Sequence, residues 1–204
     1  MKNLYKPFLI LSLILVYLVI FAGAIVRMTG SGMGCPDWPK CFGYLIPPTE
    51  RSQLDWKPNH EYESGQVIIV KESLRVADKD FRSTSTYQES NWETYTKHDY
   101  AIFNPTHTWI EFINRLLGAL AGLATLLLFI SALSQLKTDA MATIGSLLVV
   151  LGMGFQGWLG KTVVDSNLLP YKITIHMGMA LLIVLMLIFL LSRTQKRRPE
   201  LSQG

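Results

Sequence analysis

The sequence predicts an all-α integral membrane protein: a four-transmembrane-helix bundle with a large extracytoplasmic loop between helices 1 and 2. Three observations predict it. Half of the 204 residues are hydrophobic and only 17% are charged, with a mean hydropathy of +0.27, a balance too apolar for an ordinary soluble domain and the opposite of a disordered or collagen-like chain. Four apolar runs each approach the roughly 20 residues that a helix needs to cross a hydrocarbon core of about 30 Å. Short basic flanks fall where an even number of crossings puts them all on one side. The net charge of +4 does not point to nucleic acid, because the basic residues form no stripe and gather just beyond the last apolar run.

Residues 1–26 hold Lys2, Lys6 and an uncharged run from Phe8 to Val26 that stops at Arg27. A cleaved signal peptide is the alternative, since Ala22-Gly23-Ala24 resembles a small-residue cleavage site. The run is longer than a usual signal core, and its removal would leave the basic ends on opposite sides. Residues 27–108 form the extracytoplasmic segment. It opens with a turn-rich stretch from Gly30 to Cys41, carrying two prolines and two cysteines. Further on, 66–70 and 74–76 read as two short strands around Lys71-Glu72-Ser73, a hairpin. The stretch from Ser83 to Tyr100 is polar with scattered aromatics and suits a cap over the bundle mouth.

Residues 109–136 form the second span, interrupted near its start by Glu111, Asn114 and Arg115. A cytoplasmic link at 137–140 contains Lys137. Residues 141–160 form the third span, and 161–172 an extracytoplasmic link. The fourth span, 173–192, has His176 as its single ionisable residue. Residues 193–204 are a basic tail with Arg193, Lys196, Arg197 and Arg198. Both termini are expected in the cytoplasm and the spans in the inner membrane. Each span is expected to be a helix, because backbone polar groups in lipid must be satisfied internally.

An ionisable residue inside a membrane helix is costly to hold there, and so is a functional candidate by default. Glu111 and Arg115 are four apart and share a helix face. His107 continues that face toward the outer mouth, and Gly118 and Gly122 continue it inward, leaving room for something bulky or for close helix contact. The plain alternative is a self-neutralising Glu–Arg pair at the interface. His176 reads either as a hydrogen-bonded packing residue or as a haem or metal ligand through a neutral ring nitrogen, set to face Glu111 and His107 across the bundle. Gly152, Gly154, Gly157 and Gly160 crowd the third span; close helix packing is the favoured reading, a flat macrocycle on that smooth surface the sharper one. Two cysteines cannot supply the four ligands of a structural zinc site. Cys35 and Cys41, in an oxidising location, read as a disulfide staple, with a redox-active pair as the alternative.

Taken together, these residues resemble the haem A synthase family. Gly23-Ala24-Ile25-Val26-Arg27-Met28-Thr29-Gly30-Ser31-Gly32-Met33-Gly34-Cys35-Pro36-Asp37-Trp38-Pro39 is similar to that family's signature at the end of its first helix. Trp109-Ile110-Glu111-Phe112-Ile113-Asn114-Arg115 resembles its second-helix motif of glutamate, two residues, histidine, arginine. Gln156-Gly157-Trp158-Leu159-Gly160 followed by His176 matches in order and spacing.

The resemblance implies oxidation of a methyl substituent of haem O to the formyl group of haem A, for terminal oxidase biogenesis. It implies Glu111 as the catalytic acid or base and Arg115 as the group that steadies a propionate or the glutamate itself. It makes His176 an axial iron ligand, and Cys35 and Cys41 the family's outer-loop pair. The sequence departs from the family in two ways. Asn114 stands where a ligating histidine is usual, and a neutral amide is a poor iron ligand. That leaves His176 alone, or His107 as a substitute seven residues earlier, about 10.5 Å along the helix. Asn114, His107 and His176 are thus the haem-contact candidates, with His107 and His176 as metal ligands. The second departure is size, since the family commonly has two four-helix halves, substrate in the first and haem b in the second, and only the first is matched. The expected partners are therefore haem O, membrane lipid, a second copy or a second half, and the haem O synthase or terminal oxidase assembly. The competing classes are a non-catalytic haem-binding or haem-delivery subunit and a quinone- or disulfide-type redox protein.

Overall fold

The computed structural model describes residues 4–96 and 102–200. Four long helices dominate: α1 (Tyr5–Met28), α2 (Pro105–Leu133), α3 (Ala140–Asp165) and α4 (Pro170–Glu200). Each is long and apolar enough to cross a membrane. The chain is a multi-pass membrane protein with a four-helix architecture.

Helices α1, α3 and α4 outrun their apolar windows at both ends. α2 starts four residues before its expected 109–136 span but stops at Leu133, three residues short of it, because the chain turns there, the Gln135 N–H donating to the Ala132 carbonyl at 2.8 Å. Asn104 caps α2: its Oδ1 accepts from the Thr106 N–H at 3.0 Å and the His107 N–H at 3.3 Å, with Pro105 at the first helical position, where no N–H is needed. Asp139 caps α3 by accepting from the Ala142 N–H at 3.2 Å. Its Oδ1 also lies 3.1 Å from Arg193 Nη2 of α4. The polar stretch ending at Tyr100 and the last four residues of the tail extend outside the described residues.

The chain divides into two compact units. One comprises residues 1–24, 114–163 and 169–204. Its core joins Leu9 and Val16 of α1, Ala121 and Leu128 of α2, Val149 of α3, and Ile183 and Leu187 of α4. The small residues between them let backbones approach. Gly145, unremarked in the sequence, is such a place: a Cβ there would lie 2.7 Å from Leu190 Cδ2. α1 supplies Tyr5, Leu9 and Val16 to this core.

The other unit comprises residues 25–113 and 164–168. It contains β1 (Glu61–Tyr62), β2 (Val67–Val70), β3 (Ser73–Ala77), β4 (Phe81–Arg82) and β5 (Trp92–Thr94). β2, β3 and β5 form one antiparallel sheet and β1 pairs with β4. The hairpin is tighter than its residues suggest. Val70 pairs with Ser73, so only Lys71 and Glu72 turn, both with left-handed φ, 48° and 58°, as a two-residue turn of primed type requires. Ser73 belongs to the strand. The run Val67-Ile68-Ile69 is buried throughout because the sheet is covered on both faces. Val67 and Ile69 pack with Cys35, Cys41, Phe42 and Leu54, and Ile68 packs with Tyr62, Ala77 and Trp92. The stretch after Ser83, expected as a polar cap, contributes β5 to this sheet.

Candidate functional site

The first part of the site is built where the Gly30–Cys41 stretch meets the opening turns of α2. Cys35 and Cys41 form a disulfide with their Cα atoms 4.8 Å apart. It is buried, at 0% and 1% exposure, which suits a staple and not an exposed redox pair. Asp37 closes the same small loop: its carboxylate accepts from the Phe42 N–H at 2.5 Å and the Gly43 N–H at 2.8 Å. The Tyr95 hydroxyl donates to the Pro36 carbonyl. Neither Asp37 nor Tyr95 stood out in the sequence. The aspartate two residues after a cysteine was the available signal, since such side chains often cap tight turns.

This stapled loop grips α2. The Thr108 hydroxyl donates to the Gly34 carbonyl at 2.8 Å, and the Cys35 backbone N–H donates to Glu111 Oε2 at 2.9 Å. Gly34 cannot be replaced without movement, because a Cβ there would lie 2.5 Å from the His107 carbonyl oxygen. Glu111 itself is 3% exposed. A buried carboxylate is tolerable only when hydrogen-bonded, and a bond from a backbone N–H to a charged acceptor contributes about 1.5–3 kcal/mol. His107 sits in the first turns of α2 with its Nδ1 buried and without a hydrogen bond.

The membrane unit holds the remaining candidates. Arg115 lies one turn after Glu111 on α2 and is partly buried. The Asn114 Oδ1 is buried with no hydrogen-bond partner, and it lies 3.8 Å from where a Cβ on Gly23 of α1 would stand. His176 also has a buried Nδ1 without a partner. Its ring faces α3 at Gly160, whose absent Cβ would be 3.5 Å from Cε1. Gln156 Nε2 donates to the His176 carbonyl at 2.9 Å.

The glycines divide in a way that spacing does not reveal. Gly152 packs tightly, its Cβ position 3.1 Å from Met179 Cε, and Gly160 meets His176. Gly154 and Gly157, expected to mediate helix packing, meet nothing within 4 Å, and neither do Gly118 and Gly122 on α2. Packing explains Gly152 and Gly160 of the four between residues 152 and 160. The other two leave smooth open surface, as Gly118 and Gly122 do on their own helix.

A haem is the group these residues suggest, and they fit it in kind. His176 offers an imidazole with an orphaned buried nitrogen, and the open glycine faces are surfaces a flat ring could lie on. His176 and His107 are the residues that would bond iron, and Asn114 would contact the ring.

Comparison with known proteins agrees with the motifs. The heme A synthase of Shewanella oneidensis is 30% identical over 190 residues, 92% of this chain and 45% of that protein. The heme A synthases of Nitrosomonas eutropha and Rickettsia prowazekii are each 28% identical, over 86% and 92% of this chain and 44% and 48% of their own. The chain thus spans about half the length of the relatives it matches. No solved structure matches it. The profile of the cytochrome oxidase assembly protein family matches residues 6–77 and 54–204, nearly the whole chain, and the chain belongs to that family.

Proposed function

We propose that this chain is a membrane oxidoreductase of the haem A synthase type, acting on haem O and oxidising a ring methyl group to a formyl group. The observation that carries the reading is the Glu111 carboxylate, held out of water and bonded by the Cys35 N–H at 2.9 Å, within the second-helix motif of the family. Converting the methyl to a formyl group takes one oxygen atom from water and releases four electrons and four protons, the electrons passing to an external acceptor; a desolvated carboxylate beside the methyl is suited to accept and release those protons. The backbone bond holds one oxygen still, so the carboxylate is pre-oriented. Arg115, one turn away, steadies a propionate or Glu111 itself. His176 binds iron, with His107 as the candidate second ligand and Asn114 as a ring contact. Bound haem would supply a one-electron redox centre.

The setting proposed is an inner membrane, with both termini in the cytoplasm and the 27–108 segment outside. Because the chain spans about half of its relatives' length, a second copy or a second four-helix half is proposed to complete it, working beside the haem O synthase or an assembling terminal oxidase. The same half-length favours one other reading, a haem-binding subunit that passes haem on unaltered. Reconstituted protein given haem O separates them. Extracted formyl-haem supports the oxidoreductase, and bound but unchanged haem O supports the carrier.

A further inference from the structure

Between Cys35 and Tyr95 the unit that contains the sheet buries most of its large apolar side chains. Among its described residues from Cys35 to Tyr95, the exposed large apolar side chains are Trp38, Leu45 and Ile46, and the last two stand 78% and 70% exposed side by side. They form the tip of a short loop with a firm base. Cys41 and Tyr44 exchange backbone hydrogen bonds of 2.9 and 3.1 Å on one side, and Pro47 and Pro48 are buried on the other. A rigid loop that presents two adjacent aliphatic side chains is poorly suited to water.

The place of the tip identifies what covers it. Tyr44, Leu45, Ile46 and Pro47 line a cavity of about 760 Å³ together with Trp109. Trp109 is the fifth residue of α2, at the end where that helix leaves polar chain and becomes a membrane span. Tryptophan is enriched at the ends of membrane spans, at headgroup level. The loop tip thus lines the same cavity as Trp109, near the outer end of the span-forming part of α2. We propose that Leu45 and Ile46 insert into the headgroup–acyl boundary of the leaflet that α2 enters at Trp109. The loop is then a third point of membrane attachment for this unit, besides the ends of α1 and α2. A shallow aliphatic wedge of this kind follows the physics of interfacial anchors.

The proposal makes no use of haem and is tested without it. Full-length protein is reconstituted in phosphatidylcholine–phosphatidylglycerol vesicles with a nitroxide label on Ile46→Cys or, separately, Leu45→Cys. Glu72→Cys, at the exposed turn of the hairpin, is the aqueous reference. The ratio of oxygen to nickel-chelate accessibility is expected to be several-fold higher at 45 and 46 than at 72. An equal ratio at all three places the tip in water and overturns the proposal. Low accessibility to both probes at 45 and 46 means that protein covers the tip, and it overturns the proposal equally. Both side chains point away from the packed core, and each variant is read independently, so either one suffices should the other fail to assemble.

Discussion

The backbone N–H of Cys35 and the carboxylate of Glu111 meet at 2.9 Å across 76 positions of sequence. A buried acidic group on a membrane helix is thereby tied to a disulfide-stapled loop, and the tie joins the family's first motif to its second.

Glu111→Ala should abolish formation of formyl-haem while the bundle stays folded, a loss of at least the about 10²-fold that general acid–base groups typically contribute. Glu111→Gln should keep the Cys35 hydrogen bond and the fold and still lack the proton chemistry. Product analysis beside far-UV circular dichroism reads both, and undiminished turnover in either variant removes Glu111 from the reaction.

Gly34→Ala tests the grip itself. The added methyl would sit 2.5 Å from the His107 carbonyl, so the loop must move off α2, at a cost of about 1–3 kcal/mol as in other overpacked sites. Activity should fall further than stability does, because the Cys35 N–H moves with the loop. Gly118→Ala is the contrast: nothing lies within 4 Å and alanine favours helix, so the fold should hold. Reduced haem uptake in that variant would mark the open face as the place where the ring lies.

His176→Ala should remove the Soret absorbance of haem-loaded protein, without unfolding α4. An unchanged visible spectrum would show that the iron is held elsewhere, and His107→Ala would then be the variant to read.

Cys35→Ser and Cys41→Ser each open a loop whose ends are six apart. For so short a loop the chain-entropy relation gives about 2 kcal/mol of lost stability. Activity should follow stability across a temperature series. A loss of electron transfer at temperatures where the fold is intact would instead assign the pair a redox role.

Tyr62 lies in β1, outside the spans. Burial pushes its phenol above the usual value near 10, partly offset by the hydrogen bond it accepts from the Lys57 N–H at 2.8 Å. The unfolded chain ionises first as pH rises, so this contribution is intact below about pH 10 and drains away as pH climbs toward the higher folded value. Thermal unfolding followed by tryptophan fluorescence should show falling stability above pH 10, with a shallower fall in Tyr62→Phe. Equal slopes in the two proteins would refute the assignment.

Much of the fold was legible because its signals are local. A run such as Phe8–Val26 declares a span by length and apolarity alone, and Val67–Val70 followed by Leu74–Val76 declares a hairpin. α2 begins four residues before its apolar run at Trp109 and α3 one residue before its run at Met141, since Asn104 and Asp139 act as caps through hydrogen bonds that composition does not display. Within the site, Glu111, Arg115 and His176 stood out as ionisable groups in apolar runs. Asp37, Thr108 and the close fit at Gly34 did not, because each matters only through a partner distant in sequence or around a turn. Gly152 and Gly154 look alike in sequence, and only their neighbours separate the packed glycine from the open one.

The sequence by itself determined the spans, the β hairpin and the candidate residues, because hydropathy, helix period and turn chemistry act within a few positions of the chain. Only the tertiary structure decided that the cysteines form a buried disulfide and that the Cys35 N–H bonds Glu111. It likewise decided that Nδ1 of His107 and Nδ1 of His176 are orphaned, and that Gly118, Gly122, Gly154 and Gly157 face open space. Those outcomes depend on which surfaces are brought within hydrogen-bond or van der Waals reach. That is a property of chain closure over tens of residues, and no local pattern carries it.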